Sequence, residues 1–109
     1  MITLDDFKKL EIRIGQILSA EKVPETDKLL KLSVDMGETT GPRQIISGIS
    51  AYFPDPQILV GKEIPVVLNI EPRKLRGYES HGMIMAITAN DKVVLLEPSE
   101  EVPPGSVVK

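Results

Sequence analysis

The chain reads as a small, strongly curved, all-β barrel of five antiparallel strands with only short helices. Three observations carry that expectation. Apolar residues alternate with polar ones in short runs, as in Leu30, Leu32 and Val34 between Lys31, Ser33 and Asp35, instead of recurring at helical spacing. Nine prolines and eight glycines punctuate those runs. The length of 109 residues suits one domain, residues 1–109, that buries roughly two-thirds of its unfolded-chain surface.

Thr3 followed by Asp6 predicts a helix start, with Leu4 and Phe7 on one side of a single turn. From Leu10 the period becomes two: Leu10, Ile12 and Ile14 flank Glu11 and Arg13. After Gly15 the phase shifts to Ile17, which predicts a bulge or bend in a long curved strand. Residues 23–27 read as a turn, residues 30–35 as a strand, residues 37–42 as a loop and residues 45–49 as a further strand. An irregular connection through Pro54 and Pro56 leads to a strand over 63–70, with Pro65 on its less protected side. Strands over 83–87 and 93–96 precede a Pro-rich tail that ends in Ser106, Val107 and Val108. The OB-fold is the commonest barrel of this size, and it often binds oligonucleotides.

Inside this pattern lies one charge anomaly. The strand containing Ile64, Val66, Leu68 and Ile70 runs into Pro72, which has no backbone donor and ends the ladder. Arg73, Lys74 and Arg76 follow at once, and Gly77 permits a tight bend. Net charge is −3, so three cations gathered at a strand end stand out, and an arginine fork there fits a phosphate. Residues 91–109 carry the opposite bias, with Asp91, Glu97, Glu100 and Glu101 against Lys92 and Lys109.

Other chemistry is absent. No cysteine is present and His81 is the sole histidine, so zinc ligation by Cys and His is excluded and no cofactor is expected. Ser80 and His81 are sequence neighbours near a strand start, where adjacent side chains face opposite ways, so they make a poor nucleophile and base. There is no P-loop, and a catalytic role in isolation is not expected. No apolar run reaches the ~20 residues of a membrane span. A cytoplasmic, non-membrane protein is expected.

Several residues carry two readings. Lys28 and Lys31 can solubilise a strand edge or flank an anion site. Ser47 with Gly48 can form a bulge or admit another backbone. Met83 and Met85 can fill a core or line a subunit interface. Asn69 can cap a turn or hydrogen-bond a base edge or ribose hydroxyl. The rings are few: Phe7, Tyr52, Phe53 and Tyr78. With Phe7 and Phe53 committed to packing, a stacking groove for long single strands is poorly supplied, and recognition of a folded RNA fits better.

Read in order, Ile12-Arg13-Ile14-Gly15, Pro24-Glu25-Thr26-Asp27-Lys28-Leu29, Ser47-Gly48, the stretch from Asn69 to Gly77 and Ser80-His81-Gly82-Met83 resemble one family. It is the tRNA-binding OB domain of the methionyl-tRNA synthetase C-terminal or beta-subunit type. The resemblance covers about residues 5–109 and implies a barrel with a C-terminal extension, dimerised through that extension and adjoining strands. It implies that Asn69, Arg73, Lys74, Arg76, Ser80 and Met83 form the binding surface. Lys28, Lys31, Arg43 and Ser47 are the flanking candidates, and Tyr78, left free of packing, is the ring expected at the RNA-binding surface. Val23, where many members have His, and Glu71, beside the cations, depart from the pattern.

The implied function is structure-specific, largely sequence-independent tRNA binding, by a homodimer that serves a methionyl-tRNA synthetase catalytic body. The alternative is a free-standing tRNA-binding or chaperone-like dimer, since a bacterial secretion chaperone shares the domain.

Overall fold

The computed structural model describes residues 1–109. A one-turn helix, α1 (Leu4–Phe7), precedes strands β1 (Ile12–Lys22), β2 (Leu30–Asp35), β3 (Arg43–Ser47) and β4 (Glu63–Val67). Then come β5 (Arg73–Leu75), β6 (Tyr78–Ser80), β7 (Met83–Ile84), β8 (Ala86–Ala89), β9 (Lys92–Leu95) and β10 (Val107–Val108). The helix starts as its sequence predicts. The Thr3 hydroxyl accepts from the Asp6 N–H at 3.1 Å, and the Asp6 carboxylate accepts from the Thr3 N–H at 3.2 Å.

β1 organises the barrel because it changes partners along its length. Ile12 and Arg13 lie between β4 and β10, whereas residues from Gln16 onward pair with β2. The sheet runs β3-β2-β1-β4-β7, and β3 lies beside β7, so five strands nearly close on themselves. The irregularity expected after Gly15 is present in β1 as a register shift between Ile17 and Ser19, which leaves Leu18 outside. Gly15 itself answers to packing: a Cβ there would lie 2.5 Å from Val34 Cγ1 and about as close to Met36 Sδ.

The barrel interior is one cluster including Ile17, Leu30, Leu32, Val34, Ile45, Ile64, Val66 and Leu68. These are the alternating positions expected of half-buried strands. β4 is buried on both faces, since Pro65 and Val67 are covered as well as Ile64 and Val66. Pro65 fits because its neighbour Ile14 directs its own N–H to Ser106 and its carbonyl to Gly105, so no donor toward β1 is required.

Four expectations are corrected. Phe7, expected to pack, is 39% exposed on a helix that buries no residue. β4 stops at Val67: Leu68 donates to the Glu11 carbonyl, and Ile70 is exposed. The strand expected over 83–87 is divided into β7 and β8, so Met83 and Met85 do not share one uninterrupted strand. Residues 73–80 fold back as a β5–β6 hairpin, which the alternation did not disclose.

Candidate nucleic-acid interface

The cationic cluster sits on this hairpin. Leu75 faces Tyr78 across a two-residue turn in which Arg76 has φ 52° and Gly77 has φ 85°. Two successive positive φ values match the right-handed twist of the flanking strands. Glycine takes that region freely, whereas a side chain there costs about 1–2 kcal/mol, so Arg76 is held at the tip against its own preference. Arg73, Lys74 and Arg76 are all exposed, and none of them is in an ion pair. Glu79 faces Lys74 in register, and its carboxylate lies 3.9 Å from the His81 imidazole Nε2.

The hairpin is anchored along the free edge of β3. Gln44 donates its side-chain amide to the Glu79 carbonyl at 2.9 Å, and the His81 N–H donates to the Gln44 carbonyl at 2.8 Å. Between them the Ser80 hydroxyl accepts from the Ile46 N–H and donates to the Gly82 carbonyl, each at 3.0 Å. The hairpin thereby lies over Ile46, which is buried although its cross-strand partner Lys31 faces outward.

Lys31 continues the surface onto β2. Its ammonium lies 5.2 Å from the Tyr78 ring centroid and 3.9 Å from a Glu21 carboxylate oxygen. Next along the strand, a cavity of about 150 Å³ is lined by Ser19, Lys31, Ser33, Pro42 and Gln44. Ser19, Ser33 and Gln44 were not among the expected contact residues. Their signal was the outward phase of β2, because Ser33 shares the face of Lys31 and Gln44 is its partner across the strands. Lys28 is exposed before β2, Ser47 is half-buried opposite Leu30, and Met83 is exposed on β7 opposite Val67.

Three expected contact residues are engaged in the fold itself. Asn69 accepts from the Glu11 N–H at 2.8 Å and donates to the Lys9 carbonyl at 2.6 Å, fastening the chain before β1 to the end of β4. Ser80 is 2% exposed, and its hydroxyl is used in both directions. Arg43 grips Glu38 with Nε at 2.8 Å and Nη2 at 3.0 Å, while Nη1 donates to the Leu68 and His81 carbonyls. These hydrogen bonds hold the Glu38 carboxyl below its ordinary range and raise Arg43 above its own.

A cationic hairpin laid on the outer face of a small barrel is joined by a sequence match. Residues 12–107 fit the family model described as "Putative tRNA binding domain". The chain belongs to the tRNA-binding domain family. Relatives include the methionine–tRNA ligases of Methanococcoides burtonii, 47% identical over 109 residues, and Thermotoga maritima, 48% identical over 107. The match covers 99% and 98% of this chain but 16% of each ligase, so the domain spans a small part of those relatives. Among solved structures, a MetRS related protein from Pyrococcus horikoshii superposes with TM-score 0.91 at 39% identity, covering 100% of this chain and 98% of that one. The CsaA chaperone protein of Picrophilus torridus gives 0.89 at 29% identity, with both chains fully covered.

Beyond the hairpin, the tRNA-binding domain carries an apolar cleft. Phe7, Leu10, Ile12, Val107 and Val108 line about 380 Å³ of it, with Lys8, Lys9 and Lys109 at the rim. On the acidic side, Glu63, Glu97, Glu100 and Glu101 surround a second cavity, where Glu63 accepts from the Val102 N–H at 2.9 Å. No group of three or more His, Cys, Asp or Glu side chains is arranged to hold a metal ion. No helix is long and apolar enough to cross a membrane.

Proposed function

We propose that this domain binds the folded body of tRNA through the β5–β6 hairpin and the outer face of β2 and β3, as a non-catalytic accessory to a methionyl-tRNA synthetase body. The observation that carries the reading is the hairpin: Arg73, Lys74 and Arg76 are exposed and unpaired in a chain of net charge −3. Phosphates are the ligand that such a cluster suits, and one accessible ring beside it, Tyr78, suits a splayed base more than a stacked single strand. Holding tRNA near a catalytic body raises its effective concentration there, which needs no base readout. A cytoplasmic setting follows from that role. Replacing Arg73 and Arg76 together by Ala tests it. Binding of tRNA should weaken strongly while thermal unfolding hardly moves, because surface substitutions stay within about 0.5 kcal/mol. Collapse of unfolding would make the cluster structural and end the assignment.

The same domain is proposed to act as a two-fold dimer. β10 leaves one edge open, and Val107 and Val108 lie beside exposed Leu10 and Phe7. Light scattering at micromolar concentration should give twice 12.0 kDa. A clean monomer would defeat the dimer, and capture of unfolded peptide without binding of tRNA would favour the chaperone-like dimer that the likeness to CsaA raises.

A further inference from the structure

Residues 69–80 leave the barrel after Leu68 and return at His81, and every cation of the hairpin lies on this excursion. Arg43 stands between its two roots. Nη1 donates to the Leu68 carbonyl at 3.0 Å and to the His81 carbonyl at 3.1 Å. The other side of the guanidinium is taken by both carboxylate oxygens of Glu38. The Arg43 and Glu38 side chains are 27% and 31% exposed, so the pair is partly shielded from water. A planar fork gripped bidentately on one edge has little freedom to turn toward a ligand.

We propose that Arg43 is a positioning residue for RNA binding: locked by Glu38, it fixes both roots of residues 69–80 and so sets the reach of Arg73, Lys74 and Arg76. The proposal rests on the RNA-binding reading above. Its physical basis is preorganisation. A hairpin free to swing must lose backbone freedom when it binds, whereas one clamped at its neck has lost it on folding.

The sign of one substitution separates this role from simple electrostatics. Glu38→Gln removes a negative charge, so attraction alone predicts tighter RNA binding. Positioning predicts the reverse, a loss of about tenfold in tRNA affinity, because the neutral amide cannot hold the guanidinium as a carboxylate does. Salt dependence should stay unchanged, since the same phosphates are neutralised. Arg43→Lys keeps the charge but loses the fork, and it should bind as weakly as Arg43→Gln.

Amide hydrogen exchange without RNA supplies a readout that does not depend on tRNA. Amides of residues 73–80 should exchange faster in Glu38→Gln and Arg43→Lys, with β1 and β2 as protected as before. Unchanged hairpin protection overturns the proposal, as does protection lost across the whole barrel. Restoration of binding by Arg43→Lys, or tighter binding by Glu38→Gln, also overturns it. Failure of the unsubstituted chain to bind tRNA would be visible separately, as failure of the RNA-binding reading itself.

Discussion

The Lys31 ammonium lies 5.2 Å from the centre of the Tyr78 ring, and this contact joins the outer face of the barrel to the hairpin that carries the cationic cluster. Tyr78 is half-buried, and Glu21 stands 3.9 Å from the same ammonium, so the side chain of Lys31 is drawn from both sides. Such a cation over a ring contributes about 0.5–1 kcal/mol when exposed. Tyr78→Leu should therefore lower stability by about that amount in urea unfolding. If the ring also stacks a splayed base, tRNA affinity should fall by a further ~1–3 kcal/mol. Unchanged affinity would restrict Tyr78 to holding the hairpin.

Ser80 offers a contrast, because its hydroxyl is buried and used twice. Ser80→Ala removes the acceptor for the Ile46 N–H and leaves that donor unpaired beneath the hairpin. The expected cost is about 1–3 kcal/mol of stability, read as a lower urea midpoint at unchanged slope. Affinity for tRNA should change only through the hairpin's looser seat, with the salt slope kept. Weaker tRNA binding at normal stability would return Ser80 to direct contact with RNA.

The barrel was legible because its strands obey period two. Leu30, Leu32 and Val34 alternate cleanly, and each is buried as that phase requires. The cation cluster was legible too, since Pro72 and Gly77 bracket it. What stayed hidden was pairing between short strands. Arg76-Gly77 is a two-residue turn flanked by three residues on each side, too short for any alternation to show. Asn90 and Asp91, both at positive φ, make a similar turn between the four-residue strands β8 and β9. Residue type alone also could not choose where a polar side chain had two possible employers. Asn69 and Arg43 each engage backbone groups distant in sequence, Glu11 in one case and Leu68 in the other. Single-sequence patterns carry no information on such long-range partners.

The Glu38–Arg43 pair makes stability depend on pH in a stated direction. The Arg43 hydrogen bonds depress the Glu38 carboxyl below its ordinary value of 4.5, so the folded state binds the proton less readily than the unfolded one. The pair's contribution is then complete above pH 4.5 and is lost as pH falls below it through the folded value. The stability difference between the natural chain and Glu38→Gln should be constant near neutrality and shrink in acid. Asp6, lowered chiefly by its bond to the Thr3 N–H, adds acid sensitivity of the same sign but cancels in that difference. A difference that does not vary down to about pH 3 would mean that the carboxylate is not held by Arg43 in solution.

The kind of nucleic acid bound is the most discriminating question, since a hairpin with three exposed cations and a single ring, Tyr78, favours phosphates placed by tertiary shape. Binding should weaken with salt, with a log–log slope of about 0.7–0.9 per neutralised phosphate. Lys74→Ala removes one exposed, unpaired cation and should lower the slope by about one unit or a little less. Different tRNAs should compete almost equally, because side chains reach few base edges in A-form helices. Poly-U of equal length should compete poorly, because a flexible strand does not hold its phosphates at the spacing of the hairpin cations. Competition by folded tRNA, denatured tRNA fragments and poly-U at one salt concentration measures all three expectations together. Equal competition by poly-U would make the domain a generic single-strand binder. Strong preference for one tRNA would point to base readout in the cavity beside Ser19, Ser33 and Gln44.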